Sequence, residues 1–336
     1  MNTTASSNGR GSDAWSGSWT HFTVDRRSAG YCRVTFAHPP INTITATTVA
    51  ELAELVGLIE QDEDLKVDRP SPGYCRVTFS HPPINTITAT TVLELAELVE
   101  LIEQDADLNV VVFDSDNPDF YLAHYDIEHD PARTAALPAG PTGMHAWLDV
   151  LVRLSRAPVI SIASIRGRAR GAGSEFVLAC DLRFASRENA VLGQFEVGSG
   201  VVPGGGPMAR LSRLVGRGRA LEILLVADDL DGPRAEQYGY VNRAIADDRL
   251  DAEVDQIAAR VARFDHDAIV RTKSYVDQVT LPPDSEFPPA LADFFAMLGR
   301  PEQQARSARL EALGLNTDSD LERSLGRRIV EALPDP

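Results

Sequence analysis

The sequence predicts an α/β protein, and two observations carry that prediction. From Val110 onward, short apolar runs of strand length alternate with segments of helical periodicity. The front of the chain holds one strand-turn-helix unit written twice in tandem: residues 24–66 recur at 67–109, and 36 of the 43 paired positions are identical. Repeat architectures such as solenoids and propellers stack three or more units to bury a shared face. Two copies followed by nothing similar therefore point to an in-frame duplication within one domain.

Each copy predicts a strand, Tyr74–Phe79 in the second, then a turn at His81-Pro82-Pro83 and a helix from about Thr91 to Gln104. Val92, Leu95, Leu98, Val99 and Ile102 fall on one face of that helix. The second copy runs on into Val110-Val111-Val112-Phe113, a continuous apolar segment suited to a strand buried on both faces. The first copy carries Gly57 in mid-helix and meets Asp68-Arg69-Pro70-Ser71-Pro72, where proline removes ladder donors. The second copy is therefore expected in the core and the first as an added or displaced unit. Further strands are expected at 110–114, 157–165 and 181–185, with helices at about 144–155, 174–180, 207–214 and 217–226. The tail after Pro282 reads as helical and polar, with Phe287, Phe294 and Phe295 available for packing. The expected organisation is a disordered leader at 1–23, copy 1 at 24–66, a core at 67–280 that includes copy 2 at 67–109, and a helical C-terminal region at 281–336.

With 32 basic and 49 acidic side chains, the formal charge of −17 repels nucleic acid and anionic membrane surfaces. Neither is expected as a partner. Cys32 and Cys75 are copies of one position and only Cys180 remains, so the chain holds no disulfide framework or zinc-ligand spacing. The start lacks the charged and apolar regions of a signal peptide, and no apolar run reaches bilayer length, so a cytoplasmic protein is expected.

Three loops hold the chemistry. Ile165–Glu175 leaves an apolar strand and opens a helix through Gly171-Ala172-Gly173, where backbone N–H groups and the helix dipole favour negative charge. Asn117–Ile127 follows the Val110 strand. The third, Gly193-Gln194-Phe195-Glu196, brings a second glutamate 21 residues beyond Glu175 and precedes the glycine-rich run 204–206. That run lacks the Gly-Lys-Ser/Thr of a nucleotide P-loop. The polar cluster His124, Asp126, Glu128, His129 and Asp130 lacks a metal-binding helix spacing, and no metal is expected. Arg166, Arg168 and Arg170 suit phosphate groups or, for at least two of them, surface or oligomer contacts.

In their order along the chain, His81-Pro82-Pro83-Ile84-Asn85, Asn117–Ile127, Gly171–Phe176 and Gly193–Glu196 resemble the motifs of the crotonase, or enoyl-CoA hydratase/isomerase, superfamily. The resemblance covers roughly residues 67–280. It implies an α/β fold built as a crotonase-like spiral of ββα units, with a C-terminal helical region that forms trimers or dimers of trimers. It implies an acyl-CoA thioester as substrate, CoA being part of that substrate with no separate cofactor. By the same resemblance, the backbone N–H groups of Tyr125 and Ala172 form the oxyanion hole and Glu175 and Glu196 are catalytic. Ala123, His124, Tyr125, Asp126, Gly171 and Gly173 bind substrate. The implied reaction is hydration of a 2-enoyl-CoA, as in fatty-acid metabolism. An isomerase, a C–C lyase, a thioester or β-diketone hydrolase, and a non-catalytic scaffold are the alternatives. The chain departs from the family pattern at His124, where glycine is usual, at Tyr125 for alanine, at Phe195 for proline, and at Glu128 for a lysine.

Overall fold

The computed structural model describes residues 22–28, 31–36, 64–126 and 131–333, which divide between two compact units, 1–63 and 64–336. Residues 1–21 of the expected leader, the helix of copy 1 and the segment 127–130, with Glu128, His129 and Asp130, lie outside the described residues, while Phe22 and Thr23, expected in the disordered leader, are paired strand residues.

The first unit shows an antiparallel hairpin of β1 (Phe22–Ser28) and β2 (Tyr31–Phe36). The second unit begins with the corresponding hairpin of β3 (Leu65–Ser71) and β4 (Tyr74–Phe79). Val24 pairs with Val34 and Ser28 with Tyr31, and 43 residues later Val67 pairs with Val77 and Ser71 with Tyr74. One sequence thus folds twice into one register. The Asp68–Pro72 segment, expected to break pairing, is mostly strand. Pro70 is accommodated because β3 is the edge of its sheet and its register slips between Asp68 and Ser71, so the missing N–H removes no central ladder bond.

The second unit is a spiral of ββα turns. A six-stranded sheet has the order Arg243–Ile245, Leu182–Ser186, Ile160–Ile165, Val110–Ser115, β4, β3, and a four-stranded sheet the order Leu230–Asp231, Val191–Gly193, Arg168–Arg170, Phe120–Leu122. After the β3–β4 hairpin, whose strands both lie in the six-stranded sheet, three successive turns each place one strand in each sheet and then a helix. β5 (Val110–Ser115) and β6 (Phe120–Leu122) precede the helix Ala146–Arg156. β7 (Ile160–Ile165) and β8 (Arg168–Arg170) precede the helix Ala172–Ala179. β9 (Leu182–Ser186) and β10 (Val191–Gly193) precede the short helix Glu196–Ser199. The strands β11 (Leu230–Asp231) and β12 (Arg243–Ile245) close the two sheets. Most strand pairs are parallel, so crossover helices cover the large sheet and its central strands are apolar on both faces. In β5, Val111 and Phe113 face the main core, with Phe79, Tyr121 and Phe176, while Val110 and Val112 pack towards the helix Leu250–Val261.

The helix of copy 2 spans Ala89–Gln104, two residues longer at its start than its apolar periodicity indicates. Thr88 and Thr91 form a reciprocal cap there, which supplies the first-turn N–H groups with acceptors.

Asn85 ties the turn to the sheets. Its backbone has φ +52, a conformation that asparagine tolerates better than most side chains. Its amide donates to Ser115 Oγ at 2.8 Å, while its Oδ1 accepts from the His81 N–H at 2.6 Å. Its carbonyl accepts from the Ala123 N–H, at the start of the loop that carries His124 and Tyr125. Asn85→Ala is expected to cost about 2–4 kcal/mol, because buried partners lose their bonds and the residual backbone is strained. Chemical denaturation of the variant against the parent chain checks the value.

C-terminal helices at Pro288–Leu298, Pro301–Leu313, Asp320–Arg323 and Leu325–Arg328 follow the spiral. Phe287 is buried with Met144, Leu148 and Val152, which anchors this region against the helix Ala146–Arg156. Among the described residues, no helix is long and apolar enough to cross a membrane.

Candidate active site

One cavity of about 110 Å³ collects residues from four loops and the C-terminal helices. Its wall holds His124 and Tyr125 after β6, Gly171, Ala172 and Glu175 after β8, Phe195 and Glu196 after β10, and Gly204 and Gly205 before the helix Pro207–Val215. These loops leave parallel strands at one end of the fold, which is why residues far apart in sequence converge.

The start of the helix Ala172–Ala179 forms one wall. Gly171 adopts φ +50, and its N–H donates to the Gly193 carbonyl at 3.1 Å, which ties the first glycine loop to the loop of the second glutamate. Having no side chain, Gly171 cannot cap the first turn. A β-carbon there would lie 3.0 Å from Glu196 Oε1. Gln194 braces the same junction, donating to Ser174 Oγ at 2.7 Å and to the Gly171 carbonyl at 3.3 Å.

The two glutamates are both buried, yet their surroundings differ. Glu175 Oε1 accepts from the Gly205 N–H at 2.7 Å and Oε2 from the Trp147 indole N–H at 2.9 Å. Burial raises its pKa, and those two donors and the Arg210 charge oppose the rise. Glu196 Oε2 is buried without a hydrogen-bond partner among the described residues. Its pKa is raised well above the ordinary value, first by burial and then by the negative charge of Glu175. Of the pair, Glu175 is thus the better stabilised as a carboxylate, and Glu196 holds its proton the more firmly.

Of the residues expected to bind substrate, His124, Tyr125 and Gly171 line the cavity. Ala123 does not. It is fully buried against Ile84 and Phe120, beneath the loop. Gly173 does not either, because it packs against the Leu122 backbone, and a β-carbon there would collide with the Leu122 carbonyl. Asp126 lies beyond the wall, its N–H donating to the Ile87 carbonyl at 2.8 Å. Ala123, Gly173 and Asp126 shape the loops without touching the cavity, since neighbouring positions in an extended or helical backbone point in different directions. Among the described residues, no group of three acidic, histidine or cysteine side chains is placed to hold a metal.

His124 turns inward. Its Nε2 lies 2.8 Å from Glu322 Oε1 and its Nδ1 3.1 Å from the Tyr125 carbonyl. Burial opposes a charge on this ring, but the Glu322 carboxylate outweighs it and holds the pKa above the ordinary value. Of the three arginines before the glycine turn, Arg170 faces inward. Arg170 is buried, bound to Asp229 and to the Glu322 carbonyl, and Arg168 donates to the Arg323 carbonyl. Arg166 pairs with Asp247 and Asp251. Arg166 and Arg168 are half-buried, with partners Asp251 and Asp119 exposed, as expected for surface charges, whereas Arg170 is enclosed. They tie the loop before the helix Ala172–Ala179 to the C-terminal region and to the helix Leu250–Val261.

Sequence reasoning missed Trp147, Gly205 and the C-terminal cover. Leu291, Phe294, Phe295, Leu298, Leu310 and Leu315 close the apolar side of the cavity. Phe294 and Phe295 were legible as apolar side chains in a polar tail, but their target was not. Trp147 sits in an apolar helix where it reads as core.

A ββα spiral with an anion-favouring helix start and two buried glutamates on one cavity defines a class of α/β enzyme scaffold. The family model for enoyl-CoA hydratase/isomerase matches residues 70–290, and the chain belongs to that family. A solved structure from Streptomyces avermitilis, provisionally named an enoyl-CoA hydratase, is 42% identical with a TM-score of 0.76, covering 81% of this chain and 98% of that one. An enoyl-CoA hydratase from Mycobacterium avium subsp. paratuberculosis is 25% identical with a TM-score of 0.64, covering 71% and 95%. The crotonyl-CoA hydratase of Syntrophomonas wolfei is 41% identical over 111 residues, 33% of this chain and 42% of that protein. A Rhizobium meliloti protein named probable enoyl-CoA hydratase is 38% identical over 37% of this chain and 47% of its own length. The aligned segments thus span less than half of these two curated relatives.

Proposed function

We propose that this chain adds water to a 2-enoyl-CoA thioester. The observation that carries the reading is the pair of buried carboxyls, Glu175 and Glu196, held in unequal surroundings on one apolar cavity beside the start of the helix Ala172–Ala179. Hydration needs a group to take a proton from water and another to deliver one to the α carbon. Glu175, stabilised as a carboxylate by Gly205 and Trp147, takes the water proton as oxygen bonds to the β carbon. The π electrons move towards the thioester carbonyl, whose oxygen gains negative charge. The N–H groups of Tyr125 and Ala172 stabilise that oxygen, a contribution of about 3–4 kcal/mol for each well-aimed donor. Glu196 then gives its proton to the α carbon as the carbonyl re-forms. Proton exchange with solvent resets the pair.

In this reading CoA enters as part of the substrate and no resident cofactor takes part. Assembly as a homotrimer or a dimer of trimers, in the cytoplasm where CoA thioesters are made, belongs to the same proposal. The related chain named crotonyl-CoA hydratase supports a short enoyl substrate. The cavity supports it too: at about 110 Å³, with Leu291, Phe294, Phe295 and Leu298 across its apolar side, it suits a compact acyl group.

The test is a series of enoyl-CoA thioesters of increasing length, plus a cinnamoyl-type thioester, followed by loss of the conjugated absorbance. We expect kcat/KM to be highest for acyl groups of about four to six carbons or one ring and to fall by about tenfold or more for long chains. Release of free thiol without loss of the double bond would favour a thioester hydrolase. Movement of the double bond without net hydration would favour an isomerase. Tight CoA-thioester binding with no turnover would favour a scaffold.

A further inference from the structure

We propose that His124 and Glu322 form a positioning pair that holds the C-terminal cover of the cavity in register with the loop carrying Tyr125. The inference rests on the enoyl-CoA reading for its kinetic consequences, but its structural content stands on separate observations.

The two residues are 198 positions apart, and their side chains are 4% and 0% exposed. Both ring nitrogens of His124 face oxygens: Nε2 faces Glu322 Oε1, and Nδ1 faces the Tyr125 carbonyl, which can only accept. With Glu322 as the carboxylate, which also only accepts, both contacts are hydrogen bonds when the ring donates from both nitrogens, and Glu322 supplies the balancing charge.

Glu322 reaches the cover through its other bonds. Its Oε1 also accepts from the Asn316 N–H at 2.8 Å, which fixes the 314–319 loop. Leu315 and Asn316 of that loop line the cavity. The Glu322 carbonyl accepts from Arg170 at 2.6 Å, just before the glycine turn of the helix Ala172–Ala179. On the other side, the His124 carbonyl accepts from the Ile87 N–H, and the His124 ring packs edge-on to Phe195, the neighbour of Glu196. One buried pair therefore touches the proposed oxyanion loop, the neighbour of the second glutamate and the cavity cover. Such a pair contributes geometry rather than reacting atoms, and His124 and Glu322 are positioning residues in that sense. Burying an ion pair seldom adds net stability, so specifying one arrangement is its better-supported role.

The experiment compares Glu322→Leu, His124→Leu, the double Leu variant and Glu322→Gln with the parent protein. It measures hydration kinetics on a short enoyl-CoA, binding of the saturated butyryl-CoA, and protease cleavage after residue 300. Circular dichroism selects the variants that fold, and Glu322→Gln, nearly isosteric, supplies a second route if a leucine variant does not.

We expect each single leucine variant to lower kcat/KM by about 10–100-fold, through kcat as well as KM, with faster cleavage of the C-terminal segment. The double variant should lose no more than the worse single variant, since either change breaks the same link. Glu322→Gln should recover part of the loss, because its amide oxygen can still accept from Asn316. Losses that multiply in the double variant, or unchanged cleavage and butyryl-CoA binding in every variant, would overturn the pairing. If the parent protein hydrates no enoyl-CoA, the hydratase reading fails, while cleavage and butyryl-CoA binding still decide the positioning role.

Discussion

Glu196→Gln is expected to lower kcat for hydration by about 10²–10⁴-fold while leaving thioester binding within a few-fold of the parent protein. Glutamine keeps the shape of the side chain and removes the transferable proton. Glu175→Gln should have an effect of similar size by removing the base, and the double variant should lose far less than the product of the two because both act in one step. The pH profile separates the roles. Burial and the charge of Glu175 raise the Glu196 pKa, so its acid form persists above the ordinary glutamate range and is lost as pH rises through that raised value. The alkaline limb of kcat/KM should report this loss. In Glu175→Gln the like charge is gone, so the limb of the residual activity should move to lower pH.

Stability provides an independent readout with a definite sign. A carboxyl whose pKa is raised by folding binds its proton more tightly in the native state. Its stabilising contribution is present below the ordinary glutamate value and is lost as pH rises through the raised one. Glu196→Gln carries no such loss. The melting temperature of the variant should therefore gain on that of the parent protein as pH rises across that window. A variant that tracks the parent protein at every pH would contradict the buried, charge-coupled setting of Glu196.

The second large effect is expected from Gly205→Ala. The Gly205 N–H holds Glu175 Oε1, and an added β-carbon would collide with Glu175 Oε2 and lie 2.7 Å from the Trp147 indole nitrogen. The methyl has no room unless the base moves. A displacement on the order of 1 Å costs about 10²-fold in rate, so kcat should fall by at least that factor. The structural cost should be about 1–3 kcal/mol, as for other overpacked sites. Gly218→Ala is the matched control: a β-carbon there meets nothing within 4 Å, and alanine is the better helix former. Steady-state kinetics and thermal melts of both variants check the contrast. Equal activities would show that Glu175 does not need its present position.

Elements governed by local periodicity were the most legible. The helices at 207–215 and 217–226 and the strand at 110–115 fall within a residue of the spans their apolar patterns indicate. The β3 strand was hidden because prolines normally exclude central strands, and only the sheet order reveals that this one is an edge. In the candidate site, Glu175 and Glu196 stood out because two carboxyls beside glycine turns resemble a known pattern. Ala123 and Gly173, grouped with them by the same pattern, do not line the cavity, since a motif marks a stretch of chain and not the direction in which each residue points. Trp147, Gly205 and Glu322 carried no local signal of a role.

The amino-acid sequence by itself settled the alternation of strands and helices, the duplicated unit and the positions of the two glutamates, because each is a matter of neighbouring residues and their spacing. Only the tertiary structure decided which carboxylate receives a donor on each oxygen and which keeps one buried oxygen without a partner among the described residues. It also decided that the C-terminal aromatic residues close the cavity and that His124 meets Glu322. Those are contacts between residues tens to hundreds of positions apart. They arise when parallel strands deliver their loops to one end of the sheet, and no local pattern encodes them.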